Sequence, residues 1–111
     1  FPLVAAYTAR KTAIDGFTAS LALELREFDV HVKLVEPGYG PTTNFAANGR
    51  QRMQGLIPAA YEAFAYRVFA GFTAEKPITK ESDVAEAVIR AAHDVSAQLH
   101  FPAGADALAL A

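Results

Sequence analysis

The sequence predicts an α/β fold in which two long helices alternate with two short parallel strands. Residues 4–27 and 79–95 are rich in helix formers, whereas residues 30–36 and 98–101 have the character of strands. The order helix, strand, helix, strand implies a right-handed crossover between parallel strands. Because parallel sheets are normally covered on both faces, we expect a three-layer arrangement of which this chain supplies a portion.

The first helix, over residues 4–27, has Gly16 as its single weak position. Its apolar residues occupy more than one stripe, which predicts that protein covers two of its faces. The sheet on one side and a partner subunit on the other would provide that cover. The apolar positions are Ala6, Ala9, Ala13, Ile14, Phe17, Leu21 and Leu25, with Ala19, Ala22 and Leu23 elsewhere on the helix.

The strand over residues 30–36 is a β-branched run, and the residue before Pro37 favours an extended backbone. A segment rich in Gly, Pro, Asn and Thr then covers residues 38–77, with a short helix opening at Pro58. Long irregular segments in compact domains are usually functional. We therefore expect a substrate-binding loop or lid there.

The second helix is expected to be capped by Thr79, with Glu81 and Asp83 opposing the positive end of its dipole. The strand over residues 98–101 is expected to stop at Pro102. The helix residues predicted to face the core are Val84, Val88, Ala91, Ala92 and Val95.

Composition narrows the classes of function. Of the 111 residues, 52% are hydrophobic and 20% are charged, which is typical of a folded domain. A net charge of −2 and a pI near 5.9 disfavour nucleic acid and anionic membranes as partners. The sequence has no cysteine, which excludes disulfides, thiolate metal sites and cysteine nucleophiles. Its apolar stretches are too short to span a bilayer, so we expect a cytoplasmic protein.

Two features on consecutive elements suggest chemistry. Tyr7 and Lys11 lie four residues apart near the start of the first helix, so their side chains share one face. A phenol beside an ammonium group is an acid whose charged form is favoured. Pro37-Gly38 closes the following strand at its carboxyl end, where open α/β sheets bind ligands.

Three segments in this order resemble the second half of the short-chain dehydrogenase/reductase family. Residues 7–11 read Tyr-Thr-Ala-Arg-Lys, residues 35–42 read Val-Glu-Pro-Gly-Tyr-Gly-Pro-Thr, and residues 99–107 read Leu-His-Phe-Pro-Ala-Gly-Ala-Asp-Ala. The resemblance implies the C-terminal part of a Rossmann-like doubly wound parallel sheet with three α/β/α layers. It also implies NAD(P)-dependent oxidation or reduction of an alcohol or carbonyl substrate.

The resemblance assigns roles to the pair on the first helix. Tyr7 would be the general acid that protonates a carbonyl oxygen, or the base that takes the alcohol proton. Lys11 would favour the ionised tyrosine and hydrogen-bond the ribose hydroxyls of the cofactor. An isolated phenol ionises only near about pH 10, which is why the acid-base residue needs a positive neighbour.

The resemblance also assigns the nicotinamide end of the cofactor to the turn after the strand. Pro37 and Gly38 would shape its close approach to the ring, and the turn backbone with Thr42 would hold the carboxamide. Gly40 stands where the family often has a branched apolar residue, which puts its backbone contact in question. Thr43 could take the place of Thr42.

Two parts of such an enzyme are missing from the sequence. Its seven glycines form no dinucleotide-binding fingerprint, and the catalytic serine of the family would lie upstream of residue 1. The chain opens on Phe1 and its only methionine is at position 53, so we expect a C-terminal piece that is inactive by itself. The cofactor is therefore expected to be NAD or NADP without a choice between them.

Each of these patterns has a structural alternative. Tyr7 could simply pack at a helix start beside a solvated Lys11.

Several apolar residues of the lid recur at helical spacing and form a stripe. Such a stripe is more typical of core or lid packing than of a substrate wall; it comprises Tyr61, Phe64, Ala65, Val68, Phe69 and Phe72. The histidines, His31, His93 and His100, lack ligand spacing, so surface or structural roles and no metal site are expected. The acids Glu24, Glu27, Glu81, Asp83 and Glu86 are expected on solvated helix faces or in caps.

Two other functions are compatible with the sequence. The chain could be a non-catalytic scaffold whose helices mediate assembly into a homodimer or homotetramer. It could also be a small helical binding module in which the tyrosine and lysine pair is coincidental.

Overall fold

The computed structural model describes residues 2–71 and 76–111 of the chain. Its helices are α1 (Ala5–Leu25), α2 (Phe45–Met53), α3 (Glu62–Gly71), α4 (Glu81–His93) and α5 (Ala105–Leu110). Its strands are β1 (Leu34–Pro37) and β2 (His100–Ala103), and short 3₁₀ helices span Arg26–Phe28 and Ala59–Tyr61.

The two strands form a parallel sheet, which confirms the predicted α/β class and the direction of the strands. Leu34 pairs with His100 and Pro37 pairs with Ala103, so both strands end at the same edge. Helix α4 covers one face of this sheet. The small core lies at that contact, where Ala87 is 0% exposed and Phe101 and Ala103 are buried. The carboxyl ends of the strands therefore sit on the best-packed part of the described chain.

Both strands begin later than the sequence predicted. Pairing starts where the Leu34 N–H donates to the carbonyl of Leu99 at 2.8 Å, rather than at residue 30. The second strand continues through Pro102 instead of stopping there. A proline is tolerated at this place because β2 is an edge strand of the described sheet, so its missing N–H leaves no ladder bond unmade.

The Lys33 side chain, just before β1, bonds to the segment that leads into β2. Its ammonium group donates to the carboxylate of Asp94 at 2.8 Å and to the carbonyls of Ser96 and Gln98 at 2.8 and 2.7 Å. The Lys33 side chain is 9% exposed, so it holds the connection between α4 and β2 from inside. The hydrogen bond from Lys33, with those from Ser96, lowers the pKa of Asp94 from 3.8 to about 2.

Helix α4 differs from its prediction at the cap and on its inner face. The capping residue is Lys80 rather than Thr79, and Asp83 accepts the Lys80 N–H at 2.9 Å. Thr79 is drawn away because its hydroxyl has partners on β2 and α5. The inner face is formed by Ala87 and Ala91, whereas three of the predicted core residues, Val88, Ala92 and Val95, are exposed.

Helix α1 has no buried residue, so the two covered faces predicted for it are not found in this chain. The radius of gyration is 16.8 Å, compared with about 13 Å for a compact domain of 100 residues.

The sequence analysis did not predict helices α2 and α5. None of the helices in the described part of the chain combines the length and the hydropathy that crossing a membrane requires.

Candidate active site

The tyrosine and lysine pair lies on the first two turns of α1. The Lys11 Nζ is 5.4 Å from the centre of the Tyr7 ring, so the ammonium group sits over the phenol. Both side chains are exposed, Tyr7 to 42%. The helical spacing thus brings together the two groups as the sequence predicted, on a face open to a ligand.

Tyr7 also contacts the segment that follows β1. Its ring and that of Phe45, the first residue of α2, meet edge to face, with centroids 6.4 Å apart and planes at 63°. Such aromatic pairs contribute about 0.5–1.5 kcal/mol beyond the burial of their area. The contact ties the start of α1 to α2, which begins shortly after the predicted cofactor-binding residues.

That turn, formed by Pro37, Gly38 and Tyr39 and called the corner below, is held by hydrogen bonds on both sides. The Gly38 N–H donates to the Ala103 carbonyl at 3.2 Å and to the Thr79 hydroxyl oxygen at 3.0 Å. The Tyr39 carbonyl accepts the Thr79 N–H at 2.8 Å. The corner is therefore bonded to the end of β2 and to Thr79, which lies two residues before α4.

A second group of residues, Thr79, Gly104 and Asp106, closes around the corner and is called the clasp below. The Thr79 hydroxyl donates to Oδ1 of Asp106 at 2.6 Å, while the Tyr39 N–H donates to Oδ2 at 2.5 Å. Thr79 is 3% exposed. Partial burial disfavours ionisation of Asp106, but the bonds from Thr79 and from backbone N–H groups outweigh it and lower the pKa of this carboxyl below 3.8.

Two glycines make this close arrangement possible. A Cβ on Gly38 would overlap the Asp106 carboxylate, and a Cβ on Gly104 would overlap the Thr79 side chain. Gly104 also has φ of 99°, a conformation that other residues rarely adopt. The corner and the clasp thus approach each other more closely than any larger residue would allow.

The other predicted cofactor contacts lie just beyond the corner and are engaged within the chain. The Thr42 hydroxyl donates to Glu81 at 2.7 Å, and this bond lowers the pKa of the Glu81 carboxyl below 4.5. Glu81 was expected only on a solvated face or in a cap. The Gly40 carbonyl accepts the Thr43 hydroxyl at 2.7 Å, so Thr43 stabilises the turn itself. Thr42 keeps lone pairs with which it can accept a hydrogen bond.

His100 links α1 to the sheet, a role that the scattered histidines did not reveal in the sequence. Its Nδ1 lies 2.7 Å from Oε1 of Glu36, and its Nε2 lies 3.5 Å from Oδ1 of Asp15. The bond to Glu36 raises the pKa of His100 above 6.5, and Asp15 adds to the effect. One possible metal-ligand atom from each of Asp15, Glu36 and His100 lies within 4.8 Å of the other two. Both nitrogens of the His100 ring, however, already face these carboxylates. A protonated imidazole satisfies this arrangement.

Sequence reasoning missed the function of the clasp. Thr79 was assigned to a helix cap, and Asp106 was read only as part of the tail. The available signal was a glycine directly after a strand, followed two residues later by an acid.

The predicted aromatic stripe also differs from expectation, because Ala65 is buried whereas Tyr61, Phe64 and Phe69 are exposed. Phe72, which completes the predicted stripe, lies outside the described residues.

Comparison with known proteins agrees with the motifs. Residues 1–54 match the family model of the short chain dehydrogenases. Two curated proteins of Schizosaccharomyces pombe, both named as uncharacterized oxidoreductases, are each 30% identical over 105 residues. The alignment covers 94% of this chain and 43% of each relative. No solved structure gives a significant match.

The chain is thus an α/β protein whose sheet edge carries the corner and whose first helix carries the tyrosine and lysine pair. The predicted resemblance to the short-chain dehydrogenase/reductase family is confirmed by the family match and by the two relatives. The chain spans less than half the length of those relatives.

Proposed function

We propose that the protein containing this chain is an NAD- or NADP-dependent oxidoreductase that acts on an alcohol or carbonyl substrate. The observation that carries the proposal is the Lys11 ammonium held over the Tyr7 ring on an open face of α1. The family match over residues 1–54 and the two relatives named as oxidoreductases support it.

Tyr7 is assigned the proton transfer. In reduction its hydroxyl gives a proton to the carbonyl oxygen as the hydride reaches the carbonyl carbon. In oxidation the phenolate takes the alcohol proton while the hydride leaves the carbinol carbon. The Lys11 ammonium is assigned to the ribose hydroxyls of the cofactor, to which it can donate hydrogen bonds. The nicotinamide, when bound, supplies or accepts the hydride.

The corner and the residues beyond it are assigned the nicotinamide end of the cofactor. Pro37 and Gly38 lie at the carboxyl end of a parallel strand, the edge at which open α/β sheets bind ligands. Because Thr42 gives its single proton to Glu81, it presents only lone pairs, which suit the NH₂ of a carboxamide. The Gly40 backbone completes this proposed group.

Several broader features belong to the same proposal. A three-layer, doubly wound sheet is proposed for the full-length protein, to which this chain contributes two parallel strands. The exposed apolar residues of α1, among them Phe17 and Leu23, would be covered in a homodimer or homotetramer. A cytoplasmic location is proposed with them.

A non-catalytic assembly scaffold is the alternative, and exposure along α1 is the observation that favours it. The two functions differ in what they require of Tyr7. A scaffold needs the helix surface, whereas the enzyme needs the phenolic hydroxyl.

The test replaces that hydroxyl in the full-length protein. Tyr7→Phe should lower kcat/KM for carbonyl reduction by about 10²–10⁴, the usual range for a general acid, with cofactor binding nearly unchanged. Tyr66→Phe is the matched control, because Tyr66 lies on α3 and is widely exposed. Turnover that persists unchanged in Tyr7→Phe would remove the assigned role.

A further inference from the structure

We infer that Asp106 is a positioning residue for the corner, acting directly on the Tyr39 amide and through Thr79 on Gly38. The inference rests on the proposed function, because the corner matters to catalysis only if it holds the nicotinamide. The cofactor assignments include neither Asp106 nor Thr79.

The carboxylate of Asp106 is connected by hydrogen bonds to two consecutive residues of the corner, Gly38 and Tyr39. One oxygen of Asp106 accepts the Tyr39 N–H, and the other accepts the Thr79 hydroxyl, which in turn accepts the Gly38 N–H. Hydrogen bonds with an ionised acceptor are about twice as strong as neutral ones. The backbone of the corner is thus oriented by a charge that is 67 residues away in sequence.

The use of both carboxylate oxygens distinguishes Asp106 from an amide. An asparagine offers one oxygen acceptor, and its NH₂ group can only donate. It could keep the bond from Tyr39 or the bond from Thr79, but not both. With an asparagine at this position the Thr79 hydroxyl would have to donate to the Ala103 carbonyl, which lies 3.0 Å away, and the corner would lose its ionised acceptor.

The steric fit leaves the corner little freedom. Because Gly38 has no Cβ, its backbone can lie against the Asp106 carboxylate. Because Gly104 has no Cβ, the Thr79 side chain can pack against the Gly104 backbone. A turn held in this way presents its backbone to a ligand in one place. Since catalysis by orientation depends on reacting atoms staying about 3–3.5 Å apart, a loosened corner should slow hydride transfer.

The experiment compares four variants of the full-length protein: Asp106→Asn, Thr79→Val, Thr79→Ser and Asp29→Asn. Thr79→Ser retains the hydroxyl, and Asp29 is a carboxylate on the 3₁₀ turn after α1, with a side chain 99% exposed. The ligands are the reduced nicotinamide cofactor and ADP-ribose, which lacks the nicotinamide and is used with a 2′-phosphate if the protein prefers NADP. Equilibrium titration gives both Kd values, and stopped-flow absorbance gives the hydride-transfer rate.

Asp106→Asn and Thr79→Val should raise the Kd for the nicotinamide cofactor by about tenfold. They should slow hydride transfer by at least as much. Their affinity for ADP-ribose should stay within about twofold of the wild type, because the corner touches only the nicotinamide end. Thr79→Ser and Asp29→Asn should behave like the wild type. Equal weakening of both ligands, or of neither, would overturn the role of the clasp.

Hydrogen exchange separates this proposal from the function on which it rests. The Gly38 and Tyr39 amides should be protected in the wild type and exchange about tenfold faster in Asp106→Asn. Unprotected wild-type amides would overturn the clasp alone. Protected amides in a wild type that binds no nicotinamide cofactor would overturn the proposed function, and with it the positioning role.

Discussion

The corner and helix α1 carry the two halves of the proposed site, yet they are held very differently. The corner is bonded to β2, to the start of α4 and to α5, and its partner Thr79 is buried. Helix α1 has no buried residue, and its described ties to the rest of the chain include Tyr7 with Phe45 and Asp15 with His100.

The contrast is between a turn held by a network of hydrogen bonds and a helix with no buried residue. Polar bonds within the chain orient the corner, since both of its N–H groups and the Tyr39 carbonyl are bonded to residues at the same sheet edge. The described ties between α1 and the rest of the chain include one aromatic contact and one ionic link. We therefore expect substitutions near the corner to have large local effects and equivalent substitutions on α1 to have small ones.

The largest effect is expected for Gly104→Ala. The positive φ and the overlap of the new Cβ with Thr79 should destabilise the protein by about 3 kcal/mol, measured by urea unfolding. Gly16→Ala is the matched control on α1, where a Cβ meets no atom within 4 Å. It should stabilise the protein by about 1 kcal/mol.

A similar comparison applies to packing. Ala87→Leu places a larger side chain in the contact between α4 and the sheet and should cost about 2 kcal/mol. Ala13→Leu, on an exposed position of α1, should change the free energy of unfolding by less than about 0.5 kcal/mol. An equal cost at both positions would show that the Ala13 side of α1 is covered in solution, which both the proposed oligomer and the assembly role would explain.

The smallest effect concerns the ionic link between α1 and the sheet. Since its folded pKa is raised, His100 contributes stability that is full below about pH 6.5 and is lost as the pH rises through the folded value. His100→Gln should flatten the decline of stability as the pH rises above about 6.5. An NMR titration in which Glu36→Gln leaves the His100 pKa unchanged would contradict the assignment.

The sequence was most informative where local rules decide the structure. The spacing of Tyr7 and Lys11 on a helix was sufficient to predict their proximity, and the alternation of elements was sufficient to predict parallel strands. The family resemblance, carried by Tyr7, Lys11 and the Pro37-Gly38 turn, was confirmed. The first two inferences needed only the helical period and the order of the elements, whereas the resemblance needed the motifs themselves.

The features that the sequence did not predict depend on contacts between residues that are far apart in the chain. Thr79 resembles a helix cap in sequence, but a carboxylate 27 residues away claims its hydroxyl. The bond from Thr42 to Glu81 spans 39 residues, and no local pattern reveals it. The strand limits were shifted because pairing between Leu34 and His100 sets them. Helix α5 was missed because residues 99–107 were interpreted as a strand and a turn.

The most direct test of the account is the transfer of deuterium from the reduced cofactor to a carbonyl compound. The full-length protein is incubated with NADH or NADPH deuterated at the reactive carbon and with a panel of aldehydes and ketones, and the products are analysed by mass spectrometry. We predict an alcohol with one deuterium on its carbinol carbon from the wild type, and a loss of at least about 10²-fold in its rate of formation in Tyr7→Phe. No labelled alcohol from any substrate, or equal labelling by both proteins, would contradict the account.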